Sequence, residues 1–293
     1  MISQSKILLR NYMKRMIKKI RQYIPFTRAG MQGMLIYKAQ VFMWLFISFT
    51  ELFFVVYLYK SIYRNSENGM SSVINGFTFY EMILYMVTSF VFTYIGTSSD
   101  TSWNICTDIQ EGTIAVTLTK PVSYRLRHLF TFFGSIIIGY IIIVIPILTI
   151  VYGVFIYLGV LKITITRMIL NIILFFIFSL IAALINDALR YFIGLLTFFT
   201  EHLFGLNLFF SAIQSLLSGM LIPLSYMGVF GVFCAYTPFA FMNSTPVLIL
   251  MNKVELTSSI IYLGIGMVWI ILLEFINHLF FKFCIKKVSV QGG

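Results

Sequence analysis

The chain has 293 residues, of which 59% are hydrophobic and only 11% are charged. Soluble domains carry about 25% charged residues, so this composition predicts an integral membrane protein of about six spans with no separate soluble domain. The net charge of +11 does not indicate nucleic acid binding, because the basic residues gather before and beside the predicted spans, where they contact membrane lipid.

The N-terminal segment, residues 1–28, is predicted to lie in the membrane interface as a cationic amphipathic helix. Apolar residues recur three or four apart from Leu9 to Ile24, while lysine and arginine fill the opposite face. Pro25 is expected to end the regular helix. A topology signal without fixed structure would explain the same charges.

Hydropathy predicts six spans, at 33–59, 77–96, 129–158, from 169 onward, at 203–224 and at 259–281. The fourth span has two candidate ends, one near residue 199 and one at residue 185. We favour the longer helix, because it makes Asp187 and Arg190 an intramembrane pair one turn apart and leaves no unpaired acid inside the fifth span.

The stretch before the last span does not resemble an ordinary span. Pro223, Pro238 and Pro246 divide it into apolar pieces of roughly ten residues, too short to cross a bilayer and too apolar for a solvated loop. We therefore predict a re-entrant exterior element at 225–253.

Basic residues predict the orientation of the chain. The outer side receives Lys60, Arg64, Lys162, Arg167 and Lys253, and every other lysine or arginine falls on the inner side. By the positive-inside rule, we expect a multi-pass protein of the plasma membrane with both termini in the cytoplasm.

Ionisable residues inside predicted spans are candidates for a translocation path or for buried pairs. Glu51 lies within the first span, where it faces a path, another chain or a structural partner. Glu274 and His278 lie one turn apart in the sixth span, and a structural pair is the preferred interpretation over a proton relay.

The sequence predicts no catalytic and no metal site in this chain. It contains no Gly-Lys dipeptide and so no phosphate-cradling loop, its three cysteines lack metal-ligand spacing, and its three histidines lie far apart. We therefore expect no cofactor here, and any ATP and Mg²⁺ must be bound by a partner chain.

The longest polar interruption, residues 98–128, is predicted to be a structured cytoplasmic loop. Its part at 100–111 has the length of a three-turn helix ending at Gly112, and Lys120 and Pro121 fix a bend before the third span. Such a helix can seat in a groove of a soluble partner. A solvated loop with a helix cap is the other interpretation.

Several short runs resemble the permeases of the ABC-2 exporter class. They are residues 108–114 (DIQEGTI) and 118–122 (LTKPV) in the loop, with 218–219 (SG), 222–224 (IPL) and 238–239 (PF) near the predicted fifth-span exit and exterior element. The resemblance covers most of the chain. Residues 226–228 (YMG) depart from it, because the family usually has a proline soon after the IPL run.

The resemblance implies a single six-span permease domain over 1–293, all-α, which pairs with a second permease subunit and seats on a separate ABC ATPase. Coupling to the ATPase would fall to Asp108, Ile109, Glu111 and Gly112, braced by Lys120 and Pro121. The re-entrant element would include Gly219, Pro223, Pro238, Phe239 and Pro246. Such bacterial exporters move varied substrates, and the aromatic-rich spans favour an amphiphilic or hydrophobic cargo such as a peptide antibiotic, lipid or glycolipid.

Two functions of other classes fit the composition as well. One is an integral-membrane enzyme acting on a lipid, which requires polar residues converging in one cavity. The other is a membrane anchor or sensor subunit that transports nothing. Co-purification with an ATPase chain separates the exporter from both.

Overall fold

The computed structural model describes residues 20–36, 38–97, 99–161, 163–200 and 202–286, and these form helices and turns without a strand. The helices are α1 Ile24–Ile36, α2 Lys38–Arg64, α3 Phe79–Thr97, α4 Thr101–Gln110, α5 Thr113–Leu118, α6 Tyr124–Tyr157, α7 Ile165–Thr200, α8 Phe204–Leu217, α9 Gly228–Ala235, α10 Pro238–Phe241, α11 Ser244–Leu250 and α12 Leu256–Ile285. The predicted all-helical class is confirmed. Residues 1–19, most of the predicted interfacial helix, lie outside the described residues.

Four described helices are long and apolar enough to cross a membrane: α2, α6, α7 and α12. The other two predicted spans correspond to α3, with 19 residues, and α8, with 14 residues. A helix of 14 residues is about 21 Å long, less than the ~30 Å of a bilayer core. The span predicted at 203–224 therefore ends early, where Gly219 takes a left-handed backbone (φ +76°) that stops the helix. The six-span count stays a prediction.

Helix α7 is continuous for 36 residues, which confirms the longer of the two alternatives for the fourth span. No proline interrupts it, and its apolar residues lie on all sides. At a rise of 1.5 Å per residue it is about 54 Å long, so it exceeds the bilayer core and extends beyond it.

Helix α6 crosses a proline without breaking. A π-helical segment at Tyr140–Val144 precedes Pro146, which lies in the first turn of the α-helical stretch Ile145–Tyr157. Because proline has no N–H to donate, the wider turn absorbs the missing hydrogen bond.

The prolines do divide the stretch before α12 into short pieces, as predicted. A 3₁₀ turn at Leu224–Met227 follows Pro223, and α9, α10 and α11 have at most eight residues each. Pro238 begins α10 and Pro246 lies in the first turn of α11, positions that need no N–H donor. Whether these pieces lie at the exterior stays a prediction.

One boundary prediction was wrong. Pro25 does not end a helix but lies in the first turn of α1, because an N–H is not required there, and the chain turns at Gln22 and Tyr23 instead. Helix α1 packs closely along α6 through two glycines, Gly30 and Gly134, each of which approaches the backbone of the other helix.

The bundle has two polar ends. At the end opposite the loop, here called the far end, Lys253 pairs with Glu81 at 2.8 Å and Arg167 donates to Asn252 at 2.8 Å. The other end, called the loop end, carries α4, α5 and the start of α6.

Candidate functional site

The loop at 99–123 is packed onto the bundle rather than free in solvent. A helix forms at Thr101–Gln110, close to the predicted 100–111, and Gly112 with φ +70° links it to α5. Ile105 and Ile114 are buried against Tyr124 of α6 and Leu195 of α7. The apolar sides of both short helices therefore rest on the loop ends of the long helices.

A glycine on α7 makes the closest part of this contact possible. A Cβ at Gly194 would lie 2.9 Å from Ile105 Cδ1 and 3.1 Å from Ser102 Cα, closer than side chains normally approach. Only glycine lets α4 lie this near to α7 without displacement.

Asp108 fastens the loop to the start of α6. Its carboxylate accepts hydrogen bonds from Tyr124 Oη at 2.9 Å, Arg127 Nη2 at 3.2 Å and Thr113 Oγ1 at 3.1 Å. The loop helices and α6 therefore share one charged group, and movement of α4 along its axis strains these bonds.

A second cluster lies beside it and joins three long helices. Arg125 of α6 contacts Asp187 of α7 at 2.5 Å and Glu274 of α12 at 2.5 Å, and Asp187 also accepts a hydrogen bond from Thr101 of α4 at 2.7 Å. Measured along their helices from the far end, Asp187 and Glu274 lie at depths of about 33 Å and about 27 Å. The cluster thus lies where a ~30 Å core would end.

Both predicted same-helix pairs are therefore wrong. Asp187 is bound to Arg125 and not to Arg190, and Glu274 is also bound to Arg125, while His278 is exposed. Residues three or four apart on one helix are close enough to pair. Packing of the helices instead lets one arginine donate to two carboxylates, and these charge-assisted hydrogen bonds are stronger than a same-helix pair.

Arg190 turns instead toward α8. Its guanidinium donates to Asn207, to Ser211 Oγ at 3.4 Å and to Gln214 Oε1 at 3.3 Å, and it lies 5.0 Å from the Phe210 ring centre. Arg190 therefore joins α7 to the short helix α8.

The residues predicted to couple to an ATPase fall into two groups. Asp108 and Ile109 are half-buried and hold α4 in place, whereas Glu111 and Gly112 are exposed at its end. Lys120 and Pro121 are exposed in the following turn, and Pro121 lines a groove of about 470 Å³ with Tyr23 and Phe130 among others. Tyr23 Oη accepts a hydrogen bond from Ser123 N at 3.0 Å, which fixes that turn to the chain before α1.

The residues of the predicted re-entrant element are mostly inside the bundle. Pro223, Pro238 and Pro246 are buried, Phe239 packs on Phe210, and the Gly219 carbonyl accepts a hydrogen bond from Tyr85 Oη at 2.6 Å. Glu51, by contrast, is exposed on α2.

Sequence reasoning missed Arg125 and Thr101 as parts of the site. Their positions along the predicted spans could have revealed Arg125. Asp187 and Glu274 fall near the inner ends of their spans, and Arg125 is a basic residue at the inner end of another span, so all three are predicted at a similar depth in the membrane. Burying an acid without a cation is costly, so a shared partner at that depth is the expected solution.

Within the described ranges, no group of three or more His, Cys, Asp or Glu side chains is placed to hold a metal ion. The clustered polar residues are ion-paired and hydrogen-bonded across helices. Their arrangement suits mechanical linkage between a surface loop and long apolar helices.

Comparison with known families decides the class of protein. Residues 45–292 match the family model described as ABC-2 family transporter protein. The chain belongs to the ABC-2 transporter family. Members of this family are membrane components of transporters and are not themselves catalytic, and they normally work with an ABC ATPase. A search of curated proteins found no match.

As an ABC-2 family member, the chain is a multi-pass membrane protein, which agrees with its four long apolar helices. The match covers the loop, both charged clusters, most of α2 and all helices from α3 to α12.

Proposed function

We propose that this chain is the transmembrane subunit of an ATP-driven exporter, energised by a separate ATPase subunit that binds ATP and Mg²⁺. It pairs with a second permease subunit, either another copy or a sister chain. The cargo is amphiphilic or hydrophobic, such as a peptide antibiotic, a lipid or a glycolipid, and moves out of the cell.

The proposal depends mainly on one observation: ion pairs and hydrogen bonds to charged side chains connect the surface loop to three long helices. Asp108 links α4 to α6, and Thr101 links α4 to the cluster of Arg125, Asp187 and Glu274. A push on α4 therefore reaches α6, α7 and α12 together. The exposed residues Glu111 and Gly112 are the contact surface proposed for the ATPase.

The proposed topology has six spans, with α3 and α8 completing the four long helices. We place the loop end in the cytoplasm, because the sequence assigns most of the lysines and arginines to the inner side of the predicted spans. Substrate passes between two permease subunits and leaves past the short helices α9 to α11.

Purification of the tagged full chain from its native membrane tests the proposal. We expect a stoichiometric ATPase chain to co-purify in mild detergent. Turnover of a lipid substrate by the isolated chain, without such a partner, would contradict the exporter assignment and favour an integral-membrane enzyme.

The contact surface is tested by Glu111→Arg. We expect transport to fall at least tenfold, because the introduced arginine reverses the charge of the surface proposed to contact the ATPase. The amount of protein in the membrane should be unchanged, because Glu111 is exposed. The matched control is Glu67→Arg, an exposed carboxylate at the far end. Gly112→Pro should uncouple as well, since proline cannot take the φ of +70° at that position. Normal transport in both loop variants would remove the coupling role.

A further inference from the structure

Arg190 is a buried cation without an acidic partner in the described part of the chain. Only 4% of the residue is exposed, and no carboxylate there lies within ion-pair distance of it. Asp187, one turn earlier on α7, is already bound by Arg125. The charge of Arg190 is therefore not neutralised by the neighbouring acid.

The groups around Arg190 form a polar cradle that lacks a negative charge. Asn207, Ser211 and Gln214 accept its hydrogen bonds, and all three are neutral. The Nε atom is buried and has no hydrogen-bond partner. A buried arginine with neutral acceptors and a free donor is complemented by an anion that accepts from the remaining N–H.

Depth and access indicate the kind of anion. Arg190 lies one turn beyond Asp187 toward the loop end, so it is close to the level of lipid headgroups there. Asn207 and Ser211 are half-buried at the edge of α8, beside the exposed apolar side chains of Leu208 and Phe209. An acidic head that reaches Arg190 would leave its tail along this exposed face.

We propose that the Arg190 guanidinium binds the carboxylate or phosphate of an acidic amphiphile, whose alkyl tail lies along the exposed face of α8. The side-chain oxygens of Asn207, Ser211 and Gln214 accept from Arg190 and hold it in place, so only the N–H and O–H groups of these residues can donate to the anion. The identification of this amphiphile as the exported cargo rests on the proposed function. The existence of the binding site does not depend on that function. A resident anionic lipid presents the same chemistry, and the two sources are separated below.

Binding is measured with the full chain in phosphatidylcholine nanodiscs, without an ATPase. We expect dodecyl phosphate to bind, dodecyltrimethylammonium to bind at least tenfold more weakly, and Arg190→Gln to weaken dodecyl phosphate binding at least tenfold. Arg190→Lys should retain binding within a few-fold. The matched control is Arg167→Gln, on the same helix but at the far end, which should leave binding unchanged.

A second variant keeps the arginine and tests the missing charge directly. Asn207→Asp places a carboxylate where Asn207 already accepts from Arg190, so it should reduce dodecyl phosphate binding at least tenfold without lowering the unfolding temperature. If Arg190→Gln fails to fold, Asn207→Asp still tests whether Arg190 binds the anionic head. Wild-type affinity in Asn207→Asp would overturn the proposal, as would equal binding of the cationic amphiphile or of inorganic phosphate alone.

The source of the ligand is assigned by adding phosphatidylglycerol to the nanodiscs. Competition with dodecyl phosphate supports the site and identifies a resident lipid as its occupant, while undiminished binding supports the site and assigns it to a separate amphiphile. Because no ATPase is present, loss of this site and loss of the exporter assignment are distinct results.

Discussion

Two arginines at the start of α6 make ion pairs in different surroundings. Arg125 is 14% exposed and holds Asp187, which is fully buried, whereas Arg127 is 26% exposed and holds the partly exposed Asp108. Removing one member of a buried pair leaves a charge without neutralisation, at a cost of about 3–5 kcal/mol. Exposed pairs contribute about 0–1 kcal/mol. Asp108 is only 14% exposed, but without Arg127 it keeps its hydrogen bonds from Tyr124 and Thr113, so we expect the cost there to stay near this range.

We therefore expect Arg125→Gln to destabilise the protein by about 3–5 kcal/mol and Arg127→Gln by about 1 kcal/mol or less. Thermal unfolding of the purified full chain in detergent measures the difference. The double variant Arg125→Gln/Asp187→Asn should recover much of the loss, because it removes both members of the buried pair. Equal destabilisation by the two arginine variants would contradict this view of the cluster.

These residues also show where prediction from sequence stops. The sequence marks Asp187 and Glu274 as acids that need a partner inside a membrane, but helical spacing predicts for each a neighbour on its own helix. Their partner Arg125 lies 62 and 149 residues away in sequence. Helical periodicity reveals which residues share a face, and only the packing of helices decides which faces meet.

At the scale of elements, the contact between α1 and α6 depends on two glycines. A Cβ at Gly30 would lie 2.0 Å from the Thr131 carbonyl oxygen, and a Cβ at Gly134 would lie 2.0 Å from that of Thr27. Both obstacles are backbone atoms, so a side chain at either position must push the helices apart. Small residues allow such close approach between membrane helices.

Gly30→Ala and Gly134→Ala are each expected to destabilise the protein by about 1–3 kcal/mol, because overpacking separates α1 from α6. Gly33→Ala on α1 and Gly153→Ala on α6 are matched controls, since a methyl group at either residue would have no atom within 4 Å apart from its chain neighbours and the adjacent backbone of its own helix. Alanine there should be neutral or stabilising by up to about 1 kcal/mol, through helix propensity. Unfolding temperatures that do not separate the two sets of variants would refute the close contact.

Element boundaries were predictable where a strong local signal exists. The helix at Thr101–Gln110 and its end at Gly112 follow from composition, and the length of α7 follows from an apolar run without proline. The early end of α8 at Leu217 was missed, because the apolar residues continue to Leu224 while the backbone turns at Gly219. Hydropathy measures the affinity of a segment for lipid and does not report a turn inside an apolar run.

At the scale of the whole molecule, polar contacts at both ends hold a bundle whose middle is apolar. The loop end carries the clusters around Asp108 and Arg125, and the far end carries Lys253 with Glu81 and Arg167 with Asn252. This arrangement predicts that the two ends lie on opposite sides of a membrane. The family match supports a multi-pass protein, and the sidedness is open to direct measurement.

Three native cysteines, Cys106, Cys234 and Cys284, are all buried, so the wild-type chain should react slowly with maleimides. Burial also raises the pKa of the Cys106 thiol, which lowers its reactive thiolate fraction near neutral pH. Single cysteines introduced at exposed positions can therefore report their side of the membrane against a low background.

We expect a membrane-impermeant maleimide to label Asn68→Cys and Ser225→Cys in intact cells, and to label Thr119→Cys and His202→Cys only after the cells are opened. All four positions are exposed. The pair at 202 and 225 brackets α8, so labelling from opposite sides requires the chain to cross there despite a helix of only 14 residues. Labelling of both from one side would reduce the span count and make α8 part of a segment that enters and leaves the same face.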